Sequence, residues 1–208
     1  MEKRIDININ ARYFTHGNSD AENLIVVLHG YGHLASYFLK KFEFLNPEKY
    51  FVVAPEGLHR FYLNGIDGRI GASWMTKEDR ENDICNYVNL IDRVIEDICS
   101  NKNYKKKILL GFSQGGATAS RYVAFGKKTF DTFILWAAVF PPDLELEIGS
   151  KFDTSKNYFV VGNRDQYYAE ERIAEHVNQL KKTKLNFELI RFEGAHEINE
   201  QILASLLE

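Results

Sequence analysis

Six short apolar runs recur along the chain: Leu24 to Leu28, Tyr50 to Ala54, Lys107 to Leu110, Thr132 to Ala137, Tyr158 to Val161 and Phe187 to Phe192. Their length suits strands buried on both faces, which read as continuous apolar segments. Ahead of them Ile5, Ile7 and Ile9 alternate with polar residues, and after a break at Asn10 the chain continues through Arg12 to Thr15. That pattern predicts an opening antiparallel hairpin, which with the six runs makes eight strands. From Lys77 to Ser100, Ile84, Tyr87, Val88, Ile91, Val94, Ile95 and Ile98 return every three or four residues, the spacing of one helix face. Thr76, with Asp79 three residues on, predicts a capping-box start for it. A second helix is expected from about Tyr168 to Lys182, with Glu170 and Glu171 at its positive start and Lys181 and Lys182 at its negative end. Strands alternating with helices predict an α/β fold: an eight-stranded, mostly parallel sheet with helices on both faces. In such sheets ligands bind beyond the carboxyl ends of the strands.

The length of 208 residues fits one domain, 1–208, since a domain usually takes roughly 100 to 200 residues. Apolar residues at 45% and charged ones at 26% are globular proportions, which exclude disorder and fibrous repeats. The balance of 26 basic and 29 acidic residues gives a net charge of -3, without the electrostatic drive that nonspecific phosphate binding requires. Nucleic acid is therefore not an expected partner. The longest apolar run, Phe133 to Phe140, falls far short of the roughly 20 residues that cross a bilayer, so no stable membrane association is expected. The first residues carry charge but no continuous hydrophobic segment, so no secretion signal is expected. Cys85 and Cys99, the two cysteines, stand too far apart along one predicted helix for a disulfide and are too few for a zinc site. A cytoplasmic location fits that usage.

Gly111-Phe112-Ser113-Gln114-Gly115 follows the run Lys107 to Leu110 directly and opens a segment of small residues. A G-x-S-x-G would arise by chance about 0.04 times in a chain of this composition, and fewer with a strand before and a helix after. The pattern is that of a nucleophile elbow, in which a serine sits on a turn too tight for bulky neighbours. A serine hydroxyl needs a base, and the base needs a group to orient it. Of the six histidines only His176 and His196 follow Ser113. His176 reads as a helix surface residue, whereas His196 lies in a loop just past the last run and is the expected base. Asp165, in the loop after the run Tyr158 to Val161, is the expected acid. Asp153 precedes that run and belongs at the other end of the sheet, and Glu193 is close to His196 in sequence. For the developing oxyanion, Gln114 N–H and the glycine-rich Leu28-His29-Gly30-Tyr31-Gly32 supply donors, the second being the Tyr31 amide. His29 reads as a packed loop histidine.

With His29-Gly30-Tyr31-Gly32, Ala54-Pro55-Glu56-Gly57, Gly111 to Ala117, the Asp165 loop and Gly194-Ala195-His196, the chain resembles an α/β-hydrolase. More narrowly, it is similar to the small carboxylesterase, lysophospholipase and acyl-protein thioesterase group. The resemblance implies Ser113 as nucleophile, Asp165 as acid, His196 as base, Tyr31 and Gln114 as oxyanion donors, and Trp74 beside the active site. Gly32-His33 and Gln166-Tyr167-Tyr168 depart from the group's pattern at positions that shape the pocket, which makes Tyr167 a substrate-binding candidate.

The expected activity is hydrolysis of short or medium acyl esters through an acyl-enzyme, with no metal and no cofactor. A small-molecule ester is the expected partner, and no feature sets an oligomeric state. The same triad would serve an acyl thioesterase or lysophospholipase. A hydrolase fold retired to binding is the alternative of another class. Residues 141 to 156 are too few for a separately folded lid. Phe61, Tyr62, Leu63, Ile66 and Trp74, between Pro55 and Met75, are candidates to line an acyl site.

Overall fold

The computed structural model describes residues 1–144, 151–168, 170–182 and 185–208. Seven strands form the main sheet: β1 (Tyr13–His16), β2 (Asn23–Leu28), β3 (Tyr50–Pro55), β6 (Lys106–Phe112), β7 (Thr132–Trp136), β8 (Lys156–Gly162) and β9 (Phe187–Phe192). Their spatial order is β1-β3-β2-β6-β7-β8-β9, and all pairs are parallel except β1 with β3. Helices α1 (Ala35–Leu39), α2 (Arg80–Ile98), α3 (Gln114–Phe125), α4 (Glu170–Lys182) and α5 (Glu200–Leu207) cover the two faces. Along β2, Leu24, Val26 and Leu28 pack on the side of α2, α3 and α4, while Ile25 and Val27 pack on the side of α1 and α5. Burial on both faces is why β2 reads as an unbroken apolar run. Among the described residues no helix is long and apolar enough to cross a membrane.

The α/β class stands as read from sequence and all six runs form strands, but edge strand β9 is mostly exposed or half-buried rather than covered on both faces, and the opening hairpin does not form. Residues 1–12 form no strand, and Ile5, Ile7 and Ile9 are exposed. β1 pairs with β3 alone and forms the edge of the sheet. β1 alone supplies the antiparallel strand, so the sheet has seven strands rather than eight. The connection from Pro55 to Met75 is not an irregular loop: β4 (His59–Asn64) and β5 (Asp67–Ser73) form a separate antiparallel hairpin. Helix α2 starts after Asp79 in a left-handed conformation, and Thr76 makes no capping box. Instead the Thr76 amide donates to Asp83 in the first turn. Residues 145–150, within the connection read as too short for a lid, lie outside the described residues.

From β2 the chain passes to β3 on one side and then crosses to β6 on the other. The carboxyl ends of β2 and β6 therefore meet where the winding reverses, the place where a crevice opens in such sheets.

Candidate active site

The turn after β6 places Ser113 at φ 54°, ψ -120°, a strained conformation for a residue with a side chain. Its neighbours make the turn possible. A Cβ on Gly111 would strike the backbone of Gly115 and Gly116, and one on Gly115 would strike the Leu28 and His29 carbonyls. The elbow is thus pressed against the end of β2. Ser113 N–H is held by the Trp136 carbonyl at 3.0 Å. Gln114 begins α3, where a helix leaves its first amides without intrahelical partners.

The loop after β2 is held from three sides. The Gly32 amide donates to Ala72 O at 2.9 Å and the Ala72 amide to His33 O at 3.2 Å, which staples the loop to β5. Trp74 Nε1 donates to His29 O at 2.8 Å, and its ring stacks on His29. Buried His29 accepts the Gly57 amide at Nε2 and meets Gly30 O with Nδ1, which fixes its tautomer. Desolvation pushes the His29 imidazole down to about 4, so it is neutral, and it is a packed loop histidine. The Gln114 side chain completes the frame, donating to Met75 O at 3.0 Å and accepting the Trp74 amide at 3.1 Å.

Asp165 is buried in the loop after β8. Its Oδ1 accepts the Tyr167 amide at 2.9 Å, and its Oδ2 accepts His196 Nδ1 at 2.7 Å. His196 comes from the loop after β9, which Arg164 N–H grips through Gly194 O at 2.9 Å. The imidazole lies between the rings of Phe112 and Tyr167, at 4.8 and 4.7 Å between centroids. With Nδ1 turned to a carboxylate, Nε2 is left as the acceptor. Ser113 and His196 both line one cavity of 360 Å³, as do Gly30, Tyr31 and Tyr167.

Ser113, His196, Tyr31 and Tyr167 thus meet at one cavity, with Asp165 behind His196. Trp74 is not brought there: it is only 1% exposed and lies beneath the β2 loop, because its indole N–H finds a buried carbonyl. Of the residues expected to line an acyl site, Phe61 packs on Tyr31, Leu63 lies over Gly32 and Ile66 is exposed at the hairpin tip. Glu193 is turned to solvent, where it accepts from Asn163 at 2.8 Å. Asp153 lies in the short turn Lys151–Thr154 before β8. His176 is a correction: it is buried against Phe159, and burial lowers its imidazole to about 4. Its helix face, with Ile173 three residues before and Leu180 four after, is the buried one. His33, from the Gly32-His33 pair expected to shape the pocket, lines the cavity, while Arg172, which also lines it, escaped the sequence reading. Among the described residues no group of three His, Cys, Asp or Glu side chains is placed to hold a metal ion.

Comparison with known proteins gives the family and the fold. The family model described as serine hydrolase (FSH1) matches residues 19–201. Acyl-protein thioesterase 2 of Zea mays is similar in structure, with a TM-score of 0.69 at 17% identity over 95% of this chain and 96% of that one. A phospholipase/carboxylesterase of Dyadobacter fermentans gives 0.66 at 19% identity over 95% and 94%. The Bacillus cereus carboxylesterase gives 0.63 at 14% identity over 96% and 92%. At these identities the likeness is one of fold. No curated protein matches the chain.

Proposed function

Because the chain belongs to the FSH1 family of serine hydrolases and has the α/β-hydrolase fold, we propose that residues 1–208 act as one catalytic unit. In this reading it cleaves carboxylic esters of short or medium acyl chains. Ser113 Oγ attacks the acyl carbonyl while His196 Nε2 takes its proton. The amides of Tyr31 and Gln114 receive the oxyanion. Collapse of the tetrahedral intermediate expels the alcohol, which takes the proton from His196. Water then attacks the acyl-enzyme, again with His196 as base, and frees the acid and Ser113. Asp165 keeps the imidazole in the tautomer that can accept the serine proton. The observation that carries the reading is the 2.7 Å contact of His196 Nδ1 with Asp165, beside a cavity that Ser113 also lines.

The cavity of 360 Å³, walled by Phe112, Tyr31 and Tyr167, is small for a long acyl chain and supports short or medium ones. Cys85 and Cys99 are both free thiols, which supports a reducing setting such as the cytoplasm. A p-nitrophenyl ester series tests the reading. kcat/KM should peak at short chains, and a steady rise toward palmitate or a jump at the micelle threshold would overturn it. A thioester with the same acyl group, run alongside, assigns the leaving group.

A further inference from the structure

A second cavity, of 740 Å³, opens beside the first and shares His33 with it. The fold builds it from two separate stretches. One is the loop and helix after β2, through Leu34, Tyr37 and Lys41; the other is the β4–β5 turn and the start of β5, through Arg69 and Ile70. Two cations therefore border one concavity, and among the described residues no carboxylate lines it.

The cations are also unengaged, in a chain with more acids than bases. Arg12, Arg60, Arg80, Arg121 and Arg191 each meet a carboxylate within 3.3 Å. Among the described residues Lys41 and Arg69 form neither an ion pair nor a hydrogen bond. His33, where the cavities join, senses the same field. Burial lowers its imidazole first, and the positive charges of Lys41 and Arg69 lower it further. A planar guanidinium and a compact ammonium around apolar walls make a receptor for an anion on a short carbon chain.

We propose that this second cavity takes an anionic group, a carboxylate or a phosphate, carried by the substrate itself. Lys41 and Arg69 hold the anion while the scissile carbonyl lies at Ser113. The inference rests on the esterase reading above and narrows its substrate class to esters that bear an anion away from the scissile bond.

The test compares p-nitrophenyl butyrate with the p-nitrophenyl monoester of glutaric acid. The ratio of kcat/KM, anionic over neutral, should be roughly tenfold at low salt, and it should shrink as ionic strength screens the exposed cations. The ratio is read within one protein sample, so partial loss of folded material cancels. Lys41→Glu with Arg69→Glu should invert the preference, and Lys41→Arg should keep it. Glutarate and inorganic phosphate, as competitors of butyrate hydrolysis, distinguish the two anions, the tighter being the group the cavity takes. A wild-type ratio near one, or a ratio unmoved by the double substitution, would overturn the proposal while leaving the esterase reading intact. Absence of turnover on both esters would instead overturn the esterase reading.

Discussion

Nδ1 of His196 lies 2.7 Å from Oδ2 of Asp165, although the two residues are 31 positions apart and come from loops after different strands. The second carboxylate oxygen is engaged too, by the Tyr167 amide, so the acid has little freedom to turn. Asp165→Asn keeps the shape but presents an amide that can stabilise the wrong imidazole tautomer. Ester turnover should fall by roughly 10³- to 10⁴-fold in a protein that still folds. Asp153→Asn, at a residue that lies before β8, should change turnover little. Steady-state kinetics on both variants checks the assignment, and the reverse pattern would refute it.

Trp74→Phe removes the donor to His29 O and leaves a buried carbonyl unpaired, at a cost of about 2 kcal/mol. Because that carbonyl immediately precedes the Gly30–Gly32 loop, kcat should fall about tenfold with KM little changed. Kinetics together with thermal unfolding will separate this from a general loss of fold. An unchanged kcat would mean that the loop does not depend on Trp74.

Gly115→Ala would drive a methyl group into the Leu28 and His29 carbonyls and push the elbow away from β2. Destabilisation of about 2 kcal/mol or more is expected, with activity lost in the fraction that folds. Gly65→Ala differs: space is open there, and only the positive φ of 73° is strained. It should cost about 1 kcal/mol and leave turnover unaffected. Urea unfolding of the two variants makes the comparison.

Acid should weaken the fold through two buried imidazoles. His29 and His176 are both lowered from 6.5 to about 4. In the unfolded chain they bind protons at a higher pH than in the folded one, so stability rises with pH between these values. Their contribution is complete above pH 6.5 and is lost as pH falls toward 4, on the order of 3 kcal/mol for each. Urea midpoints from pH 8 to 4.5 should be level at first and then fall. His176→Gln should reduce the slope of that fall. A level profile down to pH 4.5 would contradict neutral burial of both residues.

Much of the site was legible because its chemistry is local in sequence. Gly111 is dictated by the backbone of Gly115 and Gly116 within five residues, and the loops of Asp165 and His196 each follow a run with the length of a strand. What was not legible depends on packing at a distance. The alternation at Ile5 to Ile9 is a strand pattern, but whether a strand forms depends on a surface to cover it, and the three side chains are exposed. The β4–β5 hairpin did have a signal, in Asn64-Gly65 and Asp67-Gly68, the dipeptides that turn hairpins. The apolar side chains around them drew the reading toward a pocket lining. His176 has the polarity of a surface residue, and only its spacing from Ile173 and Leu180 marked it as inward. Trp74 reads as a residue lining the substrate site, but its indole N–H needed a partner and found one below the loop that borders Ser113.

The central claim is that Ser113 is the nucleophile activated by His196. A fluorophosphonate probe added to the folded protein, followed by peptide mass spectrometry, tests it most directly. The account predicts a single phosphonylated residue, Ser113, with labelling abolished by Ser113→Ala and strongly slowed by His196→Ala. Labelling at another residue, or an unlabelled Ser113 in protein that still hydrolyses esters, would contradict it.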